Sequence, residues 1–149
     1  MTRYALPRAR FQEIIGRIAQ KKVLIIGDVG VDRYTTGSAV RLSQEAPVPV
    51  VAVTAVNDKL GLAANVADNV KAFRATPVLA TLIGPDRNGE ELHSLLKQKG
   101  ISSSHVYTHA SRRTTLKERV IAQTQQVVRI DHEHVGPLNA EAEEFFCQK

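Results

Sequence analysis

Short apolar runs alternate with amphipathic stripes along the chain, and this alternation predicts most of its secondary structure. Phe11, Ile14, Ile15 and Ile18 recur at helical spacing and predict a helix over residues 8–20. Continuous apolar runs predict buried strands at 23–26 and 78–83, and apolar stripes predict helices from Gly61 to Phe73 and from about Asp86 or Asn88 to Gly100. The order strand, helix, strand, helix is typical of a doubly wound, mostly parallel α/β sheet.

Three further β-rich segments interrupt this rhythm. Residues 48–56 are almost continuously β-branched but start with Pro47 and Pro49, which remove ladder donors and so predict an edge or a peripheral sheet. Residues 116–121 and 126–130 predict two strands around a polar turn. The three segments together predict a small separate sheet, and the polar stretch before Pro47 is predicted to be a loop.

The last predicted element is a helix that starts at Pro137 and Asn139 and carries Phe145 and Phe146. Two adjacent phenylalanines in a final helical turn require an apolar partner. Either this helix docks back on the core, or the chain is the front part of a longer protein, which is the interpretation we favour.

Composition limits the class of protein. The chain has 149 residues, 43% hydrophobic and 23% charged, which fits one globular domain. The net charge of +5 comes from dispersed basic residues, and there is no Trp, so we expect no nucleic-acid partner. No apolar run has the length of a membrane span, and we expect no membrane partner. The single cysteine, Cys147, is compatible with a reducing compartment, and we expect a cytoplasmic protein.

Two acids follow the first predicted strand, Asp28 directly and Asp32 four residues later. Open α/β sheets bind ligands at the carboxyl ends of their strands. Because no basic residue stands between the acids, this pattern suits a ligand rich in hydroxyl groups better than one rich in phosphate. A carboxylate such as Asp32 accepts hydrogen bonds from two adjacent hydroxyls. The alternative is an aspartate that caps its own turn, the role we expect for Asp28.

Two other segments carry candidate binding residues. Gly61, at a predicted helix start, leaves backbone N–H groups open to a ligand, and Asn65 offers both a donor and an acceptor. Lys117 and Arg119 alternate on a predicted strand, so they share a face and suit a phosphate group. The alternatives are small residues for close helix packing in the first case and a solvated strand face in the second.

Other constellations exclude some chemistries. His132 and His134 share one strand face but have no third ligand at a standard spacing, so no metal site is predicted. The Gly27–Gly30 segment resembles a dinucleotide fingerprint only in part, because its third glycine would fall on Arg33. We therefore expect no Rossmann-type cofactor.

The residues of these segments and their order resemble a known family, the ribokinase-type (PfkB) carbohydrate kinases, and within it the bacterial heptose 7-phosphate kinases. Gly61 to Ala67 resembles the first family signature, although Leu62 stands where a second glycine is expected. The other matching segments are Gly27-Asp28 with Asp32-Arg33-Tyr34, the run from Arg41 to Val50, Gly84 to Leu92, and Thr114 to Asp131.

This resemblance implies a ribokinase-like fold with a β-lid formed near residues 46–57 and 113–131. It implies transfer of the γ-phosphoryl group of ATP, with Mg²⁺, to the anomeric hydroxyl of D-glycero-D-manno-heptose 7-phosphate, a step towards ADP-heptose and the lipopolysaccharide core. The substrate-binding residues would be Asp32, Gly61 and Asn65 for the sugar, and Lys117 and Arg119 for its phosphate. The lid is expected to form a homodimer.

The family's catalytic Gly-Ala-Gly-Asp signature does not occur in these 149 residues. We therefore assign no catalytic residue and expect residues 1–149 to be the N-terminal, sugar-facing part of one ribokinase-like domain, inactive alone, with the ATP and Mg²⁺ sites mostly elsewhere. The alternative is a non-catalytic module that binds a sugar phosphate or serves assembly. An open reading frame after Lys149 that encodes the signature would favour the first account, and a stop codon the second.

Overall fold

The computed structural model describes residues 6–149, so the first five residues of the predicted domain lie outside the described part. Within that part, strands and helices alternate along the chain. They are α1 (Arg8–Ile18), β1 (Lys22–Ile26), β2 (Val29–Leu42), β3 (Pro49–Leu62), α2 (Ala63–Ala72), β4 (Thr76–Ile83), α3 (Arg87–Gln98), β5 (Val106–Thr108), β6 (Thr115–Ala122), β7 (Gln125–His132) and α4 (Ala140–Cys147).

The core sheet has the order β1-β4-β5 and is parallel throughout, as the alternation of strands and helices predicts. Leu79 and Ile83 of β4 pack with Leu92 and Leu96 of α3, and all four side chains are fully buried. In β1, Ile25 is buried whereas its neighbours Leu24 and Ile26 are more than 60% exposed. Helices therefore cover one face of this sheet more completely than the other.

The lid sheet has the order β3-β2-β6-β7, with β2 antiparallel to β3 and parallel to β6. The prediction of a polar loop before Pro47 is wrong, because residues 29–42 form the central strand β2. Most of this strand is partly exposed on both faces, and polar side chains stand on both faces. The alternation of apolar and polar residues that marks a half-buried strand therefore does not appear in the sequence. The lid sheet is therefore larger than the sequence suggests.

Strand β3 extends to Leu62, six residues beyond the predicted end of the β-rich run. Gly61 and Leu62 thus end a strand, and α2 begins only at Ala63. The edge position predicted from Pro47 and Pro49 is confirmed, since β3 pairs with β2 alone. The base of the lid sheet joins the main hydrophobic core through four buried side chains, Val29, Val31, Leu60 and Leu116.

Two helix ends follow the predicted chemistry in detail. Asp86, not Asn88, caps α3, and its carboxylate accepts from the Gly89 N–H at 2.9 Å. Asn139 caps α4 in the same way through the Ala142 N–H. The aromatic rings of Phe145 and Phe146 each lie 6.3 Å from that of Tyr107, so α4 docks on the chain itself.

None of the helices within residues 6–149 is long and apolar enough to cross a membrane.

Candidate functional site

Asp32 lies on β2, three residues after the strand begins, and not on a loop beyond β1. Its Oδ1 atom accepts a 2.7 Å hydrogen bond from Nη1 of Arg119 on the neighbouring strand β6. The hydrogen bond that Arg119 donates to Asp32 raises the pKa of Arg119 despite the opposing effect of burial. About one fifth of each side chain stays exposed, so the pair is accessible from solvent.

A bare stretch of backbone lies beside this carboxylate. Gly61 of β3 pairs with Gly30 of β2, two residues along the strands from the pair formed by Asp32 and Lys59. A Cβ atom on Gly61 would lie 3.1 Å from Cγ of Asp32, and one on Gly30 would lie 2.7 Å from the Thr115 carbonyl oxygen. Gly30 therefore has no room for a side chain, a Cβ atom at Gly61 would be tightly packed against Asp32, and the Asp32 carboxylate rests against backbone without an intervening side chain.

Asn65 stands in the first turn of α2 with an exposed side chain. Together with Asp32, Tyr34 and Lys59 it lines a cleft of about 410 Å³ between the lid sheet and helices α2 and α3. The structure thus brings three of the predicted site residues, Asp32, Gly61 and Asn65, to one place. Such a cleft offers carboxylate, amide and backbone groups to a ligand with several hydroxyls.

Leu62 connects this bare backbone to α2 with φ of 54° and ψ of −131°. L-residues rarely adopt this conformation, and it favours glycine. The residue that departs from the family signature therefore occupies a backbone position where glycine is the expected amino acid.

Lys117 and Arg119 share a face of β6, but different partners hold them. Lys117 lies opposite Asp32 on one side and Asp131 on the other. Its ammonium group contacts Glu133 at 2.8 Å and Asp131 at 3.2 Å, and hydrogen bonding to these acids, first Glu133, raises the pKa of Lys117. The two predicted phosphate ligands are thus both paired with carboxylates in the structure.

Lys59 is a candidate binding residue that the sequence reasoning missed. It lies directly opposite Asp32 on β3, and its Nζ atom is 4.9 Å from the centroid of the Tyr34 ring. Arg119 lies over the same ring at 5.3 Å. A basic residue two positions before Gly61 was visible in the sequence, but its place beside Asp32 follows only from the long-range pairing of β2 with β3.

The Gly84–Leu92 segment has the structural role predicted for it. Asp86 accepts from the Thr114 N–H at 2.8 Å with its second carboxylate oxygen, and the Thr114 hydroxyl accepts from the Gly84 N–H at 3.0 Å. These bonds connect the C-terminal end of β4 to the residues just before β6. They fix the position of the lid sheet relative to the core sheet.

In the part of the chain that the structure describes, no three His, Cys, Asp or Glu side chains are grouped closely enough to hold a metal ion.

Comparisons with known proteins place these features in context. The profile of the pfkB family carbohydrate kinases matches residues 20–148. The bifunctional protein HldE of Helicobacter pylori strain P12 is 44% identical over 133 residues, a match that covers 87% of this chain and 29% of that protein. The chain thus spans less than a third of the length of this curated relative.

Solved structures show the same fold. A ribokinase from Agrobacterium tumefaciens, described as putative, superposes with a TM-score of 0.62 at 19% identity, covering 83% of this chain and 41% of that one. An Arabidopsis thaliana ribokinase complexed with ribose and ATP superposes with a TM-score of 0.58 at 14% identity, covering 76% of this chain and 36% of that one. At these identities the likeness concerns the fold alone.

Proposed function

The chain belongs to the pfkB family of carbohydrate kinases, and we propose that its Asp32 cleft binds the acceptor sugar of an ATP-dependent sugar kinase. The most specific candidate acceptor is D-glycero-D-manno-heptose 7-phosphate, phosphorylated at its anomeric hydroxyl. One observation carries this proposal: an accessible carboxylate lies against bare glycine backbone in a cleft that also holds Asn65.

The cleft has the chemistry that a sugar requires. The two oxygens of Asp32 accept hydrogen bonds from adjacent hydroxyls, which fixes one orientation of a sugar ring. Gly61 leaves room for the Asp32 carboxylate against the sheet, since a Cβ atom at that position would lie 3.1 Å from Cγ of Asp32. The Asn65 amide supplies a donor and an acceptor at the rim. Before a sugar can take both oxygens, Arg119 must give up its bond to Asp32.

Two observations favour a heptose phosphate over a simple sugar. The segment from Thr114 to Asp131 resembles the heptose 7-phosphate kinases more specifically than the wider family. Curated relatives of this chain, such as the protein of Helicobacter pylori strain P12 at 44% identity, carry the name HldE. Since the chain covers only 29% of that relative, the complete activity and its place in ADP-heptose and lipopolysaccharide-core synthesis are part of this proposal.

ATP would supply the phosphoryl group and Mg²⁺ would neutralise its charge in such a reaction. The Gly-Ala-Gly-Asp signature that carries the family's general base is not found among the 149 residues of this sequence. We therefore assign this part of the chain to binding and orienting the acceptor sugar, and propose that it has no kinase activity alone. Its single cysteine agrees with work in the reducing cytoplasm.

We also propose that the lid sheet mediates homodimer formation. Val53 and Val56 of β3 and Val127, Val128 and Ile130 of β7 are each at least 40% exposed. Two edge strands with exposed apolar side chains favour association with another sheet. Light scattering at high protein concentration tests this: a dimer supports the proposal, and a monomer at every concentration overturns it.

A second candidate function rests on Leu62. A leucine in a glycine conformation at the start of α2 places an exposed apolar side chain, 40% accessible, next to the bare backbone. This favours a module that binds a sugar phosphate or serves assembly without catalysis. Kinase assays of a longer protein that contains this chain distinguish the two, because only the first candidate predicts turnover.

Calorimetric titration with D-glycero-D-manno-heptose 7-phosphate tests the main proposal. We expect the wild-type chain to bind and Asp32→Asn to lose binding, since the amide no longer accepts two hydroxyls. Asp68→Asn is the matched control, because Asp68 lines the same cleft but pairs with Lys99 at 2.9 Å. Equal loss in both variants, or no binding by the folded wild-type chain, would overturn the proposal.

A further inference from the structure

Three basic side chains lie next to Asp32 on the lid sheet, and they differ in how far their charge is already neutralised. Two carboxylates contact the ammonium group of Lys117, and Asp32 itself binds Arg119. No carboxylate of residues 6–149 lies within ion-pair distance of Lys59. Among these three side chains, Lys59 is therefore the one that no acid of the described residues pairs with.

Lys59 is also well placed towards the sugar site. Side chains of directly opposed residues share one face of an antiparallel pair with Cβ atoms about 5 Å apart, which applies to Lys59 and Asp32. The Tyr34 ring lies under the ammonium group and holds it near the cleft that both residues line. The other lysine of this cleft, Lys99, is paired with Asp68.

We propose that Lys59 binds the phosphate group of the sugar phosphate. Asp32 accepts hydrogen bonds from the hydroxyl groups of the same ligand. This inference rests on the proposed function and deepens it, because it moves the phosphate site from Lys117 on the inner strand β6 to Lys59 on the edge strand β3. A compact ammonium group on a long stem suits a terminal phosphate, which lies outside the sugar ring and needs reach rather than bidentate geometry. Lys117 then serves the lid itself, joining β6 to β7.

Arg119 has a secondary part in this arrangement. It lies over the same Tyr34 ring as Lys59, at 5.3 Å. When sugar hydroxyls replace it on Asp32, its guanidinium group would remain over the ring that also carries Lys59. The phosphate would then meet one cation that is unpaired in the structure and one that the sugar releases.

Calorimetry with two ligands tests the assignment, D-glycero-D-manno-heptose 7-phosphate and the same heptose without phosphate. Lys59→Met keeps the apolar stem and removes the charge. We expect it to weaken binding of the phosphorylated sugar about 10-fold to 100-fold, the range of a charge-assisted hydrogen bond. Binding of the unphosphorylated heptose should change less than about twofold, and Lys59→Arg should keep most of the affinity for the phosphorylated sugar.

Lys117→Met is the matched comparison on the other side of Asp32, and we expect it to weaken phosphate-dependent binding less than about threefold. The inference falls if Lys59→Met leaves the preference for the phosphorylated sugar unchanged, if it weakens both ligands equally, or if Lys117→Met causes the larger loss. Asp32→Asn separates the two proposals. If that variant loses binding and Lys59→Met does not, the sugar site stands and the phosphate assignment is overturned, whereas a wild-type chain that binds neither ligand overturns both.

Discussion

Arg119 donates a 2.7 Å hydrogen bond to Asp32 across the parallel strands β6 and β2. The residue predicted to bind the phosphate thus neutralises the residue predicted to bind the sugar. A sugar that binds Asp32 must compete with an internal cation that is already in place. This competition favours a phosphorylated sugar over a neutral one. The phosphate offers an anion to the released arginine and so recovers the lost interaction, whereas a neutral sugar does not.

Arg119→Met should therefore have opposite effects on stability and on sugar binding. Removal of one member of a partly buried ion pair leaves Asp32 without its partner and should reduce the free energy of unfolding by about 1–3 kcal/mol. At the same time the freed carboxylate should bind the unphosphorylated heptose more tightly. Urea unfolding measures the first effect and calorimetry the second.

Arg129→Met is the control for this experiment. Arg129 lies directly opposite Arg119 on β7 and is about half exposed, with its bond to Asp131 and not to Asp32. A surface pair of this kind contributes about 0–1 kcal/mol, so this variant should change stability little and heptose affinity not at all. If both variants raised heptose affinity equally, release of Asp32 would not be the cause.

Gly61→Ala should disturb the sugar site more than the fold. Its new methyl group would stand 3.1 Å from Cγ of Asp32 and 3.2 Å from one carboxylate oxygen, so the carboxylate must move away from the backbone. We expect calorimetry to show at least about tenfold weaker binding of the sugar phosphate. Overpacking by the methyl group should reduce the free energy of unfolding by about 1–2 kcal/mol.

Gly16→Ala supplies the comparison, because nothing lies within 4 Å of a Cβ at that position of α1. The same substitution there should leave binding unchanged and stabilise the helix by about 0.5–1 kcal/mol. Unchanged sugar affinity in Gly61→Ala would show that close approach to the backbone at Gly61 is not used.

The sequence predicts the core sheet well and the lid sheet only in part. Strands β1 and β4 are continuous apolar runs, of which β4 is mostly buried, and Asp86 and Gly100 mark the ends of α3, so local signals suffice there. Strand β2 lacks such a signal. Its side chains are half-exposed on both faces, and backbone pairing with β3 and β6 defines it as a strand.

The candidate site shows the same division. Asp32, Gly61 and Asn65 belong to recognisable segments, and they meet in one cleft or contact each other. No recognisable motif marks Lys59 as a phosphate ligand. Only the register of β3 on β2 puts it beside Asp32. Likewise, the carboxylates on Lys117 come from β7 and the residue after it, so its neutralisation is a consequence of tertiary pairing. Local residue type therefore identifies the acids and glycines, whereas strand register decides which cations are available.

Leu62→Gly should change the stability of the chain little although it deletes an apolar side chain. A non-glycine residue at φ of 54° and ψ of −131° stores about 1–3 kcal/mol of strain, which the variant releases. The entropy cost of glycine, about 0.5–1 kcal/mol, and the lost burial of a side chain that is 40% exposed, about 1 kcal/mol, offset this release, so urea unfolding should show a change of less than about 1 kcal/mol in the free energy of unfolding. Val66→Gly, at an exposed helical position one turn further, releases no strain and should lose about 1–2 kcal/mol. Destabilisation of similar size in both variants would contradict the strain argument.

Asp131 makes the stability of the lid hairpin β6–β7 dependent on pH. Desolvation opposes its ionisation, but hydrogen bonds from Lys117 and Arg129 prevail and hold the pKa of the Asp131 carboxyl below its usual value. Because the pKa is lower in the folded than in the unfolded chain, the stabilisation is complete above the unfolded value of about 3.9 and is lost as pH falls through the folded value. Urea midpoints measured from pH 6 down to about pH 3 should therefore fall less steeply in Asp131→Asn than in the wild type.

Glu45→Gln is the control for this experiment. It removes one exposed negative charge outside any ion pair of the described residues, and it should keep the steep wild-type dependence of the urea midpoint on pH. If Asp131→Asn and the wild type lost stability in parallel over this range, other carboxylates would govern the acid response and Asp131 would hold no special place in the hairpin.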